Sequence, residues 1–283
     1  MKTLRGIRVL SLALNLPGPA ALMRLRSLGA NCTKLEPPGG DPMQAYAANA
    51  YAALQQGVRT VAADLKTEGG QRILARELAR TDVLLTSFRP SALRRLGLGW
   101  RPLHARYPAL CLVSVVGGPG AQAEVPGHDL TYMAENGLVQ GQELPPTLFA
   151  DMGGALMASE AVLQALLLRQ RSGRGSRHEV ALSAAAAWLA LPRHWGLTTP
   201  QGIVGGAHAG YRIYPCRDGR VAVAALEPHF ARRLLEAAGI GKADMGARRT
   251  SEALAAWFAP QTRRALEALA QRLDLPLHTL PRA

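Results

Sequence analysis

Cysteine is nearly absent from this chain: Cys32, Cys111 and Cys216 are the only three, and no two form a CxxC pair. That spacing supports neither a disulfide framework nor a zinc knuckle, and it fits a reducing cytoplasm. The histidines show no i,i+4 pair and no HExxH, so no metal site is expected. The nucleophile elbow GxSxG is missing as well. No apolar run approaches the ~20 residues that a membrane span needs. Aromatics make up 5% of residues and are not interleaved with a dense basic tract, which argues against a nucleic-acid surface.

What is present is a globular composition. The 283 residues are 48% hydrophobic, enough to bury a core in one large or two smaller domains. The net charge of +13 comes from arginines spread in pairs such as Arg94-Arg95, Arg232-Arg233, Arg248-Arg249 and Arg263-Arg264. Such spreading reads as a solvated surface, one that also steers a polyanionic ligand toward the protein. The opening Met1-Lys2-Thr3-Leu4-Arg5 imitates a signal peptide, but Arg8 interrupts the apolar stretch. Alternation from Ile7 to Leu12 therefore reads as a first buried strand.

Short β-rich runs alternate with helical ones through the first half: Arg8–Leu12 and Ala20–Leu28, Asn31–Leu35 and a Pro37–Pro42 turn, Arg59–Ala63 and a helix near Gly69–Ala79, then Asp82–Thr86 and Leu110–Val116. Strands separated by helices of this length predict parallel βαβ units, with ligands at the carboxyl ends of the strands. A long apolar helix is expected over Ala155–Arg171, stopped by Ser172-Gly173-Arg174-Gly175. From about Gly196 the texture changes. Tyr211–Tyr214 and Arg220–Ala224 flank Pro215-Cys216-Arg217-Asp218-Gly219, a hairpin signal with an Asp-Gly turn. Helices follow near Phe230–Ala238, Glu252–Phe258 and Arg263–Leu273. The expected fold is α/β: a Rossmann-like large domain with a parallel sheet at 1–197, and a smaller α+β domain at 198–275. The segment 276–283 either stays with the small domain or returns to the large one.

Candidate chemistry centres on His128 in Pro126-Gly127-His128-Asp129-Leu130 and on Asp151 in Phe149-Ala150-Asp151-Met152-Gly153-Gly154. An imidazole and a carboxylate suffice for acid–base work. A helix N-terminus favours an anionic Asp151, and the glycines let a ligand approach the backbone. Position alone also fits an ordinary N-cap aspartate and a turn histidine. Glu227, before Pro228, equally fits a residue that simply opens a helix. The loop Gly117-Gly118-Pro119-Gly120 lacks the third glycine of a dinucleotide fingerprint, and Pro119 removes an amide donor.

Together these residues resemble the family III CoA-transferases, the superfamily that includes acyl-CoA racemases. Ordered landmarks carry the resemblance: Leu16-Pro17-Gly18-Pro19 through Leu28-Gly29-Ala30, Lys34-Leu35-Glu36-Pro37-Pro38-Gly39-Gly40-Asp41-Pro42, Asp64-Leu65-Lys66, and Phe88-Arg89-Pro90 with Arg95-Leu96-Gly97. Gly127-His128-Asp129-Leu130 and Leu226-Glu227-Pro228-His229-Phe230 look like the racemase branch. The resemblance implies catalytic roles for Asp151, His128 and Glu227. It implies coenzyme A contacts at Ala63, Asp64, Leu65, Lys66, Ser87, Phe88, Arg89, Arg95, Gly127, Asp129 and Tyr132. Coenzyme A enters as part of the substrate, with no prosthetic group, no metal, no nucleic acid and no membrane.

The activity implied first is racemisation of 2-methylacyl-CoA thioesters by 1,1-proton transfer. Two alternatives are CoA transfer between carboxylic acids through an aspartyl-CoA intermediate, and a catalytically weak CoA-thioester-binding paralogue. The last is suggested by Pro37, where many racemases carry an arginine, and by Thr147 in place of an asparagine. A homodimer, interlocked in this superfamily, is the implied assembly, and the cytoplasm the implied location.

Overall fold

The computed structural model describes residues 2–282. It divides into two compact units, one ending at Ala190 and one beginning at Leu191. The first runs β1 (Arg8–Ser11), α1 (Pro17–Ser27), β2 (Asn31–Glu36), α2 (Met43–Tyr46), α3 (Ala48–Gln55), β3 (Arg59–Ala62), α4 (Glu68–Leu78), β4 (Val83–Thr86), α5 (Pro90–Arg95), α6 (Trp100–Arg106), β5 (Cys111–Val116), α7 (Asp129–Glu135), α8 (Phe149–Ser172), β6 (Arg177–Ala181) and α9 (Leu182–Leu189).

All six strands are parallel, in the order β3-β2-β1-β4-β5-β6. This is a doubly wound sheet, and the expected Rossmann-like parallel architecture is what forms. Alternation along the strands sorts side chains to the two faces. Val9, Val83, Leu85, Val113 and Val115 pack beneath Leu22 and Leu25 of α1, Met133 of α7 and Val162 of α8. Leu10, Leu84 and Leu112 pack on the other side with Leu74 and Leu78 of α4, Leu93 of α5 and Leu103 of α6. With both faces covered, β4 and β5 are buried along their whole length, as parallel sheets require.

Helix α8 is long and apolar enough by composition to cross a membrane, which the sequence reading did not anticipate. Within this unit Ala155, Ala158, Val162 and Ala165 are buried, and it packs on α1, α9, β5 and β6. It also begins earlier than Ala155, at Phe149.

The second unit comprises α10 (Leu191–His194), β7 (Tyr211–Cys216), β8 (Gly219–Ala224), α11 (Pro228–Ala237), α12 (Arg248–Phe258), α13 (Arg263–Leu273) and β9 (Leu277–Leu280). Its antiparallel sheet is ordered β7-β8-β9. Leu234, Leu254, Phe258 and Leu266 close its core over Tyr214, Val221 and Val223. Two expectations are corrected here. Leu277–Leu280 does not return to the large sheet, because it pairs with β8 through Val223↔Leu277 to Arg220↔Leu280. The hairpin turn is Arg217-Asp218 rather than Asp218-Gly219, since Cys216 pairs with Gly219. Gly219 is needed for clearance: a Cβ there would stand 2.2 Å from the Leu280 carbonyl oxygen.

Candidate active site

In a doubly wound sheet the strand order reverses beside β1, so loops leaving the carboxyl ends of β1 and β4 diverge and open a crevice. Here they are held together at one point, where the Leu14 N–H donates to Ser87 Oγ at 3.2 Å. A cavity of about 180 Å3 lies at this place. Leu14 and Asn15 line it from the end of β1, Ser87 and Arg89 from the end of β4, and Gly117 from the end of β5. Gly127, His128, Tyr132 and Asp151 complete it. The structure thus brings together six of the residues singled out from the sequence.

The acid and the imidazole arrive on two different helix starts. His128 is the N-cap of α7 and is exposed. Its N–H donates to Thr131 Oγ1 at 3.1 Å, and Thr131 Oγ1–H returns a bond to the His128 carbonyl at 2.8 Å. Asp151 lies in the first turn of α8, not before it, so it is not the N-cap that its position suggested. Its N–H is instead satisfied by Asp129, whose Oδ1 accepts it at 2.9 Å. Asp129 is 5% exposed and lines neither this cavity nor its neighbour; it ties the start of α7 to the start of α8.

That arrangement sets the electrostatics. Burial first, and then the Asp129 charge, push the Asp151 carboxyl up to about 6, while His128 pulls it back. The helix terminus was expected to favour the anion; desolvation and a second carboxylate outweigh it. Burial, with the Asp151 charge, also raises the Tyr132 phenol. The two glycines beside Tyr132 are there for clearance: a Cβ on Gly127 or Gly117 would come within 2.6 or 2.4 Å of the Tyr132 ring or hydroxyl.

A second cavity, of about 930 Å3, lies where α4 and α5 begin and end beside Phe88. Leu65, Lys66, Phe88 and Arg95 line it, together with Thr67, Gln71 and Arg72, which the sequence reading missed. Lys66 and Arg95 are exposed cations on a mixed wall that also carries Arg72 and the carboxylate of Glu68. Ala63 and Asp64 stand behind it. Ala63 is buried, and the Asp64 carboxylate accepts the Lys66 N–H at 3.0 Å, shaping the turn that leads to Thr67, the N-cap of α4. Glu227 belongs to the second unit, where it is the exposed N-cap of α11 with no side-chain cap bond and Pro228 at the first helical position. Pro37 and Thr147 are both exposed. Among the described residues no cluster of three or more metal-ligating side chains occurs.

The family model described as CoA-transferase family III matches residues 4–282. The chain belongs to CoA-transferase family III. Within that family it is 32% identical over 266 residues to the α-methylacyl-CoA racemase of Mus musculus, covering 88% of this chain and 68% of that protein. It is 34% identical over 206 residues to a probable fatty acyl-CoA transferase of Mycobacterium tuberculosis, covering 66% of this chain and 52% of that one. Across the curated family III relatives it matches, the chain spans about half to two thirds of their length. A crystal structure of a hypothetical protein from Mycobacterium tuberculosis superposes with a TM-score of 0.84 at 27% identity, covering 98% of this chain and 84% of that chain. Family III therefore includes both racemases and CoA-transferases at similar distance from this chain.

Proposed function

We propose that the protein is an acyl-CoA racemase that inverts the α-carbon of 2-methylacyl-CoA-type thioesters by 1,1-proton transfer. The observation that carries this reading is that His128 and Asp151, on separate helix starts, line one cavity. A thioester acidifies its α-C–H, and two bases on opposite sides of that carbon remove the proton from one face and return it to the other. A carboxyl near 6 is suited to both halves of the exchange at neutral pH. The neighbouring cavity supplies Lys66 and Arg95 for phosphates and Phe88 for a base ring, the groups a coenzyme A moiety needs. Glu227 is assigned by resemblance as the partner of the histidine. Incubation of a chiral 2-methylacyl-CoA in deuterated water tests the reading. Label should enter the α-position with loss of optical purity, and absence of exchange across a panel of acyl-CoAs would refute it.

One observation favours a second reading. Asp151 is a half-buried carboxylate whose side chain accepts no hydrogen bond from a described residue, as a nucleophile for CoA transfer between carboxylic acids would be. Attack on the thioester carbonyl would give an aspartyl mixed anhydride and then an aspartyl-CoA thioester. Hydroxylamine or borohydride should then trap an Asp151 adduct in the presence of an acyl-CoA. Tight CoA binding with neither exchange nor adduct would mark a binding paralogue. The assembly we propose is a cytoplasmic homodimer. Leu156, Leu163, Trp188 and Leu189 leave an exposed apolar face on α8 and α9 of the kind that marks an interface, and sedimentation velocity at micromolar concentration is its test.

A further inference from the structure

Among the described residues, Asn15 is one of two non-glycine residues with positive φ, at 63°, and it takes that conformation on the wall of the Asp151 cavity. Asparagine tolerates this region better than most residues, yet the conformation persists only where the surroundings hold it. They do. The Asn15 N–H is shared between both oxygens of Asp41, at 3.1 Å each. Asp41 also accepts the Met43 N–H at 2.9 Å and a short bond from Lys34 Nζ. Lys34 is fully buried and pairs a second time with Glu36 at 2.8 Å. Glu36 in turn accepts from Tyr51 at 3.1 Å. A buried ionic cluster therefore fixes the backbone of a residue that faces the site.

Three consecutive amides of this loop are turned inward. Ala13 donates to Ser11 Oγ, Leu14 to Ser87 Oγ and Asn15 to Asp41, so the loop keeps these three amides from a ligand. What it offers is the exposed Asn15 side chain. The carboxamide is oriented by Tyr46, whose hydroxyl donates to Asn15 Oδ1 at 3.3 Å. Asn15 and Asp151 line the same cavity, which places the carboxamide on the acid's side of the loop. That assignment leaves Nδ2 as the outward end, and among the described residues nothing accepts from it. A neutral donor suits such a site: it meets negative charge building on a ligand oxygen without adding a fixed cation beside Asp151.

We propose that Asn15 contacts the substrate, its Nδ2 donating to the thioester oxygen as charge develops there, and that Asp41 is the positioning residue that holds it. The inference rests on the acyl-CoA reading but not on its branch, because an enolate and a tetrahedral adduct both load the same oxygen.

The test uses the Asp151→Asn protein, in which neither branch turns over, with a 2-methylacyl-CoA carrying 13C at the thioester carbonyl. Bound ligand should show a downfield carbonyl resonance that moves back toward the free value when Asn15→Ala is added, with affinity changed by less than about threefold. An unchanged resonance overturns the proposal while leaving the acyl-CoA reading intact. No binding by either protein removes the acyl-CoA reading and this inference with it. With Asp151 restored, Asn15→Gly keeps the backbone conformation and removes only the donor. It should lower kcat roughly 10²-fold with KM little changed, and unchanged kcat in an active enzyme refutes the role. Asp41→Asn should weaken the resonance shift and add little to Asn15→Gly. A full shift in Asp41→Asn would overturn the positioning role.

Discussion

Asp151→Asn should stabilise this protein at neutral pH and abolish its chemistry. The fold raises the Asp151 carboxyl from its ordinary 3.8 to about 6, so the native state holds a proton there that the unfolded chain has already released. Between those two values the native state binds more protons than the unfolded state, so stability falls as pH rises through the window and stays reduced above it. A rise of about two pH units corresponds to about 3 kcal/mol. Because the side chain is only half-buried, solvent screening brings the expected figure to roughly 1–3 kcal/mol. Asparagine removes that cost, and the bond from its N–H to Asp129 is made by the backbone and is retained. Urea unfolding followed by circular dichroism should give the variant an advantage of that size at about pH 8 and almost none at about pH 4. In thermal scans at neutral pH it corresponds to roughly 2–4 °C per kcal/mol. Equal stability of the two proteins at both pH values, or a less stable variant at about pH 8, would refute the argument.

Asp129→Asn removes one cause of the raised Asp151 carboxyl. The acidic limb of the pH–rate profile should move to lower pH, and a limb that stays in place would deny the coupling. Lys34→Met leaves Asp41 and Glu36 buried without their cation, which should cost roughly 3–5 kcal/mol in urea unfolding. Gly70→Ala would place a Cβ 1.8 Å from the Asp64 carbonyl oxygen, forcing open the turn at Lys66; coenzyme A affinity by calorimetry should fall together with stability. If Arg95 meets a phosphate as proposed, Arg95→Ala should weaken coenzyme A binding by about 1.5–3 kcal/mol, with the fold unchanged by circular dichroism.

Five of the six strands of the first unit were legible because they announce themselves by β-branched or leucine-rich runs, and Gly173 takes φ 70° where the stop was expected; the short helices α3, α5, α6, α7 and α9 carry too little periodicity to be read. Strand β6 was missed because Arg177-His178-Glu179 is polar, as an edge strand permits; its identity comes from its register with β5. Strand β9 is four residues long at the end of the chain and is fixed by pairing with β8. In the site, the residue types of His128 and Asp151 were visible, but their environment was not. That Asp129 would be a buried acceptor rather than a ligand contact depends on α8 starting at Phe149, which apolar periodicity from Ala155 onward does not reveal. Asn15 carried no motif at all. Its signal is its place at the carboxyl end of β1, together with an acid twenty-six residues on.

The bond between the Asp151 N–H and Asp129 bridges twenty-two residues, and most of the segment it spans is free of that duty. Residues 140–148 are exposed apart from half-buried Pro145. Since the two helix starts are fastened directly, this stretch can lengthen, shorten or change composition at little entropic cost without moving the acid–base pair. The molecule thereby separates two fastened helix starts, whose spacing must not vary, from a surface segment that may.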